Sequence, residues 1–318
     1  MTRLPDFVVL GQGKAGTSLI YNRLFEIPEI GLSTPKELHY FNANFDRPLN
    51  WYADHFDADK PNIRRMGEVS PSYLQKDAIT RIADTLGRNT KIIFVLRNPI
   101  EQAYSRYLQN ICATREGQSF HIISRNIGQR LERIYQALKR CYEVFGEDNI
   151  LQLSFEHDIA ALGEPYLQKI LQHIDLSDVQ IPTKTDTLVN PGTMPRWLHT
   201  QDEHVIISVD RQTYFIPSDS LVFCAQKRNS KLIRFPSHED VATAFFQQSR
   251  WSTEVSKKEY QTLQSRFVLE NAERFSKTFG FDLRHWNGPA KKLKYTAGAP
   301  PPRLQSRQNG WFPQEISS

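Results

Sequence analysis

The sequence predicts an α/β fold, a three-layer arrangement in which helices flank a parallel sheet. Three observations predict it. Short apolar runs that read as buried strands alternate with stretches whose apolar residues recur at helical spacing. One such run, Phe7–Leu10, opens into a glycine-rich turn and then a helix. A second, Lys91–Leu96, ends in Arg97-Asn98-Pro99 and is again followed by a helix.

Taken in order, Phe7–Leu10 is apolar throughout, as a strand covered on both faces must be. The helix opened by Thr17 runs through Leu19, Ile20 and Leu24. Lys76–Leu86 reads as a helix before the Lys91 strand, and Ile100–Tyr107 as the helix after it. From Phe120 to Phe145 apolar residues fall at helical spacing (Ile123, Ile127, Leu131, Ile134, Leu138), and Gly146 stops the run. Asn149–Ser154 is a further strand and Pro165–Ile174 a further helix. Asn190–Pro195 is a turn-rich break, beyond which Val205–Asp210 and Ser220–Cys224 look strand-like. No internal repeat is visible. Residues 1–295 are expected to form one domain, with about 182–251 as a variable insertion that binds an acceptor or acts as a lid. Residues 296–318, with Pro300-Pro301-Pro302 and a polar run, read as an extended or disordered tail.

The glycine-rich turn, Gly11-Gln12-Gly13-Lys14-Ala15-Gly16-Thr17-Ser18, carries the chemistry. Its glycines let backbone N–H groups converge on an anion, and the positive end of the following helix faces the same point. Gly11 and Gly16 have the Walker A separation, but Thr17 stands where that motif needs its lysine, and Lys14 lies inside the loop. Such a loop alone is equally a plain tight turn. The second segment decides for a site. Open α/β sheets bind ligands beyond the carboxyl ends of their strands, where Arg97 offers a charge-assisted contact to a second phosphate. A metal-binding aspartate would close this strand in an ATPase. Arg97 and Asn98 suit an anion instead, and no metal is expected.

On these motifs the chain resembles the sulfotransferases that use 3′-phosphoadenosine 5′-phosphosulfate (PAPS), whose fold is P-loop NTPase-like. Gly11–Thr17 is similar to their G-x-x-K-x-G-T loop for the 5′-phosphosulfate. Arg97, Pro99 and Ser105 are similar to their 3′-phosphate motif. Pro35-Lys36-Glu37-Leu38-His39-Tyr40-Phe41 resembles the K-E-x-H-[FY]-F segment of the Golgi-type carbohydrate and heparan sulfate enzymes. Gly67-Glu68-Val69-Ser70-Pro71-Ser72-Tyr73 resembles their G-E-K-S-P-x-Y, with Val69 in place of the lysine. The stretch from Ser256 to Trp286 resembles the closing helix of the family, whereas about Pro182–Trp251 matches poorly.

The resemblance implies roles. Gly13, Lys14, Ala15, Gly16, Thr17 and Ser18 would hold the 5′-phosphosulfate, with Lys14 as the charge stabiliser. Arg97 and Ser105 would clamp the 3′-phosphate. Glu37 would be the general base, with His39 as the alternative. A late basic loop covers the 3′-phosphate in related enzymes, and Arg228, Lys231 and Arg234 are the candidates here, although their loose spacing favours a solvated basic face. Glu68 would orient backbone or Lys14. The acceptor would be a carbohydrate, a small metabolite or a lipid, sulfated on oxygen or nitrogen. A P-loop nucleotide kinase or NTPase, and a nucleotide-binding protein without chemistry, are the competing classes.

Composition agrees. The 318 residues suffice for one large α/β core, and a net charge of +5 with a pI near 9.0 suits a doubly phosphorylated nucleotide. No Lys/Arg run is long enough to argue for nucleic acid. The 3 cysteines are scattered without metal-ligand spacing, which favours free thiols in a reducing compartment. With no secretory leader and no apolar run near the roughly 20 residues of a membrane span, the expectation is a soluble, cytoplasmic, bacterial enzyme.

Overall fold

The computed structural model describes residues 3–56, 62–112, 120–161, 163–183 and 255–293, and the backbone of five strands between 197 and 234. Five parallel strands form the main sheet: β1 (Phe7–Gly11), β2 (Ile30–Leu32), β3 (Arg65–Val69), β4 (Lys91–Leu96) and β5 (Ile150–Ser154), in the order β2-β3-β1-β4-β5. The chain leaves central β1 for β2 and β3 on one side and returns with β4 and β5 on the other. Every strand therefore delivers its carboxyl end to one edge, where such sheets place their ligands.

Alternation along the strands explains the core. Phe7, Val9, Val69, Ile93, Val95 and Leu153 join a cluster with Ile20 and Leu24 of α1 (Thr17–Phe25) and with Tyr166, Leu167, Ile170 and Leu171. Val8, Leu10, Ile92, Phe94 and Leu96 alternate with them and are equally buried. The intervening helices are α2 (Leu49–Ala53), α3 (Lys76–Leu86), α4 (Pro99–Cys112), α5 (Phe120–Ser124), α6 (Ile127–Phe145) and α7 (Pro165–His173). α3 and α6 pack on each other, with Arg140 Nε donating to Thr80 Oγ1 at 3.2 Å. α8 (Lys257–Leu263), a π-helical turn at Gln264–Val268 and α9 (Leu269–Phe279) follow. Phe275 and Phe279 of α9 pack on Tyr135 of α6.

Two compact units are distinguished. The first comprises residues 1–102, 127–189 and 264–288 and holds the parallel sheet. The second comprises 103–126, 190–263 and 289–318. It contains an antiparallel sheet of β6 (Trp197–Gln201), β7 (His204–Val209) and β8 (Gln212–Pro217), and a pair of β9 (Val222–Cys224) with β10 (Leu232–Arg234).

Several elements differ from the sequence expectation for local reasons. The single helix expected over Phe120–Phe145 is two, because Ser124 Oγ bonds the His121 carbonyl at 2.8 Å and the chain turns at Arg125-Asn126. Strand β3 carries no apolar signature, since Gly67 and Glu68 lie inside it, and β2 is only three residues long. The tail at 296–318 lies outside the described residues.

Candidate active site

The glycine loop joins β1 to α1 at the centre of the carboxyl edge. Gly11 stands at φ 152°, and a Cβ there would lie 2.6 Å from the Val95 carbonyl oxygen of β4. Gly16, the N-cap of α1, is left-handed at φ 88°, and a Cβ there would lie 2.8 Å from Ile159 Cγ2. Both glycines are thus fixed by neighbouring elements, a requirement the sequence shows only as composition. Lys14 also adopts positive φ, 72°. The first amides of α1, those of Thr17 and Ser18, have no carbonyl one turn earlier to bond and project from the positive end of the helix.

Arg97 is woven into this loop. Its backbone N–H donates to Gln12 Oε1 at 3.0 Å, and its Nη1 donates to the Lys14 carbonyl at 2.8 Å. Gln102 Nε2 donates to the Gly13 carbonyl at 2.6 Å. The guanidinium lies over the Phe155 ring, 4.2 Å from its centroid. Its Nε is buried with no hydrogen-bond partner among the described residues. Burial lowers the Arg97 pKa, opposed by Glu101 and Glu156, but a guanidinium stays charged. A buried cation with an unsatisfied donor beside a turn of amides is chemically suited to an anionic oxygen.

Asn98, buried, caps α4, its Oδ1 accepting the Ile100 amide at 3.0 Å, with Pro99 at the first helical position. Ser105 is half-buried on α4, within the second unit.

The candidate base lies on the loop after β2. Glu37 and His39 are both left-handed, at φ 63° and 55°. Glu37 is ion-paired with Lys36, and its Oε2 lies 3.9 Å from His39 Nε2. His39 Nδ1 meets Ser72 Oγ at 2.8 Å, so the 35–41 and 67–73 segments come together. Beneath them Glu68 is wholly buried. It accepts Ser70 Oγ at 2.6 Å, Tyr73 Oη at 2.7 Å and Tyr52 Oη at 2.7 Å, as well as the Leu38 amide. Burial raises its pKa while these four donors oppose the rise. Glu68 therefore ties the Leu38 amide to Tyr52, Ser70 and Tyr73. Val69 is buried in the core cluster.

Sequence reasoning missed Gln12, Gln102, Phe155, Glu156 and His285, all of which touch the loop or the Arg97–Asn98 turn or support a residue that does. Gln12 lies inside the motif and was open to notice. Glu156 follows β5, where nothing in the pattern marks the π-helical turn at Phe155–Ile159. Arg228 and Lys231 lie outside the described residues, and Arg234 is described only as the end of β10. Among the described residues no group of three or more His, Cys, Asp or Glu is placed to hold a metal. No described helix is long and apolar enough to cross a membrane.

Residues 50–180 match a family profile described as "Sulfotransferase family". Over these residues the chain is similar to that family. It is 36% identical over 107 residues to the membrane-associated sulfotransferase kil1 of Dictyostelium discoideum, covering 33% of this chain and 22% of that protein. It is 33% identical over 112 residues to the human bifunctional heparan sulfate N-deacetylase/N-sulfotransferase 2, covering 33% of this chain and 13% of that one. Human heparan sulfate glucosamine 3-O-sulfotransferase 3B1 is 31% identical over 110 residues, covering 34% of this chain and 27% of that protein. The matches thus span well under a third of these relatives. A crystal structure of a sulfotransferase from Alicyclobacillus acidocaldarius superposes with a TM-score of 0.56 at 19% identity, covering 90% of this chain and all of that one. The P-loop-like sulfotransferase fold of the domain follows from this likeness.

Proposed function

We propose that the protein is a PAPS-dependent sulfotransferase, and that the observation carrying this is the meeting of Arg97 with the glycine loop. The guanidinium is bonded to the Lys14 carbonyl at 2.8 Å, and its buried Nε has no partner among the described residues. One cation and one turn of amides serve two phosphate positions on a single ligand. When bound, PAPS supplies an activated sulfuryl group on a phosphate leaving group.

The residues of the chain then bind, neutralise and deprotonate. The Thr17 and Ser18 amides and Lys14 face the 5′ end, where Lys14 neutralises charge growing on the leaving phosphate. Arg97 and Ser105 take the 3′-phosphate. Arg228, Lys231 or Arg234 is assigned to the same phosphate. Glu37 accepts the proton of the acceptor, at a value of about 10²–10⁴-fold for a positioned base. His39, 3.9 Å from it, is the alternative base.

The likeness to heparan sulfate sulfotransferases favours a carbohydrate acceptor, with a small metabolite next, on oxygen or nitrogen. Val69, buried in the core, offers no cation to an acidic glycan. Acceptor recognition is assigned to about 182–251, an insertion in one catalytic domain of residues 1–295. A cytoplasmic setting goes with this reading, and the free thiol of Cys141 is consistent with it.

The test is release of 3′-phosphoadenosine 5′-phosphate from labelled PAPS across a panel of sugar and small-molecule acceptors. Lys14→Ala should reduce the transfer rate about 10²–10³-fold, as loss of a preorganised charge stabiliser does. Near-normal transfer by that variant would remove Lys14 from the chemistry.

A further inference from the structure

We propose that Glu156, held by His285, is a positioning residue for the Arg97–Asn98 turn. Through that turn it sets how strongly the site prefers a nucleotide bearing a 3′-phosphate. The inference rests on the nucleotide reading above.

The Asn98 backbone N–H lies at a buried corner between β4 and α4. The Asn98 side chain is committed to capping α4, so it cannot satisfy its own amide. Glu156 Oε1 accepts that N–H at 2.7 Å. The other oxygen, Oε2, faces Ser154 Oγ at 3.3 Å and His285 Nε2 at 3.2 Å. Ser154 Oγ also lies 2.9 Å from His285 Nε2, so the imidazole and the end of β5 fix the carboxylate from behind. Immediately before Glu156, the Phe155 ring carries the Arg97 guanidinium. Two consecutive residues of the π-helical turn thus hold two consecutive residues of the Arg97–Asn98 turn, one by a ring face and one by a hydrogen bond.

Glu156 is most unlike a surface carboxylate in being mostly buried, its side chain 19% exposed, beside His285 at 23%. Bonds from His285 and Asn98 hold its pKa below the usual glutamate value despite burial. The carboxylate makes its contacts with His285, Ser154 and the Asn98 amide, and the Arg97 Nε has no hydrogen-bond partner among the described residues. Without Glu156 the Asn98 amide loses its 2.7 Å hydrogen bond to the carboxylate, and the turn that presents Arg97 relaxes. Position then decides affinity for the 3′-phosphate and leaves the 5′ end, bound by the glycine loop, nearly unaffected.

The experiment is calorimetric titration of the full chain with 3′-phosphoadenosine 5′-phosphate and with adenosine 5′-phosphate. Glu156→Ala should weaken the bisphosphate about tenfold, the size expected for loss of one charge-assisted buried hydrogen bond, and change the monophosphate less than about threefold. Glu156→Gln keeps an acceptor for Asn98 and should recover most of the preference. In an Arg97→Ala background Glu156→Ala should cost nothing further, as expected of two groups acting through one contact. His285→Ala, which leaves the carboxylate in place, should move selectivity the same way by a smaller factor and serves if Glu156→Ala does not fold. Equal loss for both nucleotides, or tighter binding of the bisphosphate by Glu156→Ala, would overturn the proposal while leaving the nucleotide reading intact. A wild-type chain without preference for the 3′-phosphate would overturn both.

Discussion

Glu37 and His39 flank Leu38 in a backbone conformation that costs a side-chain-bearing residue about 1–3 kcal/mol. That strain is held in place by two devices. The His39 carbonyl accepts the amides of Ala43 and Asn44, each at 3.0 Å, and Glu68 accepts the amide of Leu38 between the two strained residues. Glu37→Gln should therefore retain nucleotide affinity and lose transfer, measured by calorimetry beside turnover; surviving transfer would pass the base role to His39. Glu68→Gln should lower kcat with the nucleotide Kd unchanged, because an amide nitrogen would face hydroxyl donors and release the Leu38 turn. An unchanged kcat in a folded variant would make Glu68 a core residue only. Residue types at this level were readable: Lys14, Arg97 and Glu37 stand in motifs. The left-handed turns and the four-donor pocket around Glu68 were not, since they depend on Tyr52 and Tyr73 arriving from separate segments.

Elements carry the next level of the design. The helix α1, whose first amides the nucleotide reading assigns to an anion, is anchored near its other end. Arg23, its side chain 4% exposed, pairs with Glu164 at 3.0 Å and donates to the Pro182 carbonyl at 2.7 Å. Glu164→Ala leaves a buried guanidinium with Glu26 as its remaining carboxylate, and should destabilise the protein by about 3 kcal/mol in chemical denaturation. No measurable loss would mean the pair is solvated in solution. The turn after β5 adds an acid-side dependence. Glu156 and Asp158 both have lowered pKa values, the first through His285 and Asn98, the second through Lys169 and Ser154, each working against burial. A carboxylate whose folded pKa is depressed stabilises the fold above its ordinary value and loses that contribution as pH falls through the lowered one. Thermal midpoints should accordingly fall as pH drops below about 4.5, and Glu156→Gln should flatten part of that fall. A slope unaltered in the variant would assign the acid sensitivity elsewhere. Long apolar strands such as β4 were legible because burial on both faces leaves an unbroken run. Strand β3 was not, because Gly67 and Glu68 replace that run with close packing and a buried hydrogen-bond pocket.

For the whole molecule, a parallel sheet gathers five carboxyl ends on one edge, and the chain order places the glycine loop at its centre with Arg97 next door. That both motifs end strands at the carboxyl edge was readable from the sequence; the strand order that sets β4 beside β1 was not. The spatial partners Phe155, Glu156 and His285 were not, since they reach the site from segments without a motif. The most direct test is calorimetric titration with 3′-phosphoadenosine 5′-phosphate, ADP and ATP, with and without Mg²⁺. Tight, metal-independent binding that requires the 3′-phosphate is the predicted result. Preference for Mg²⁺–ATP would contradict it and put a divergent nucleotide kinase in its place.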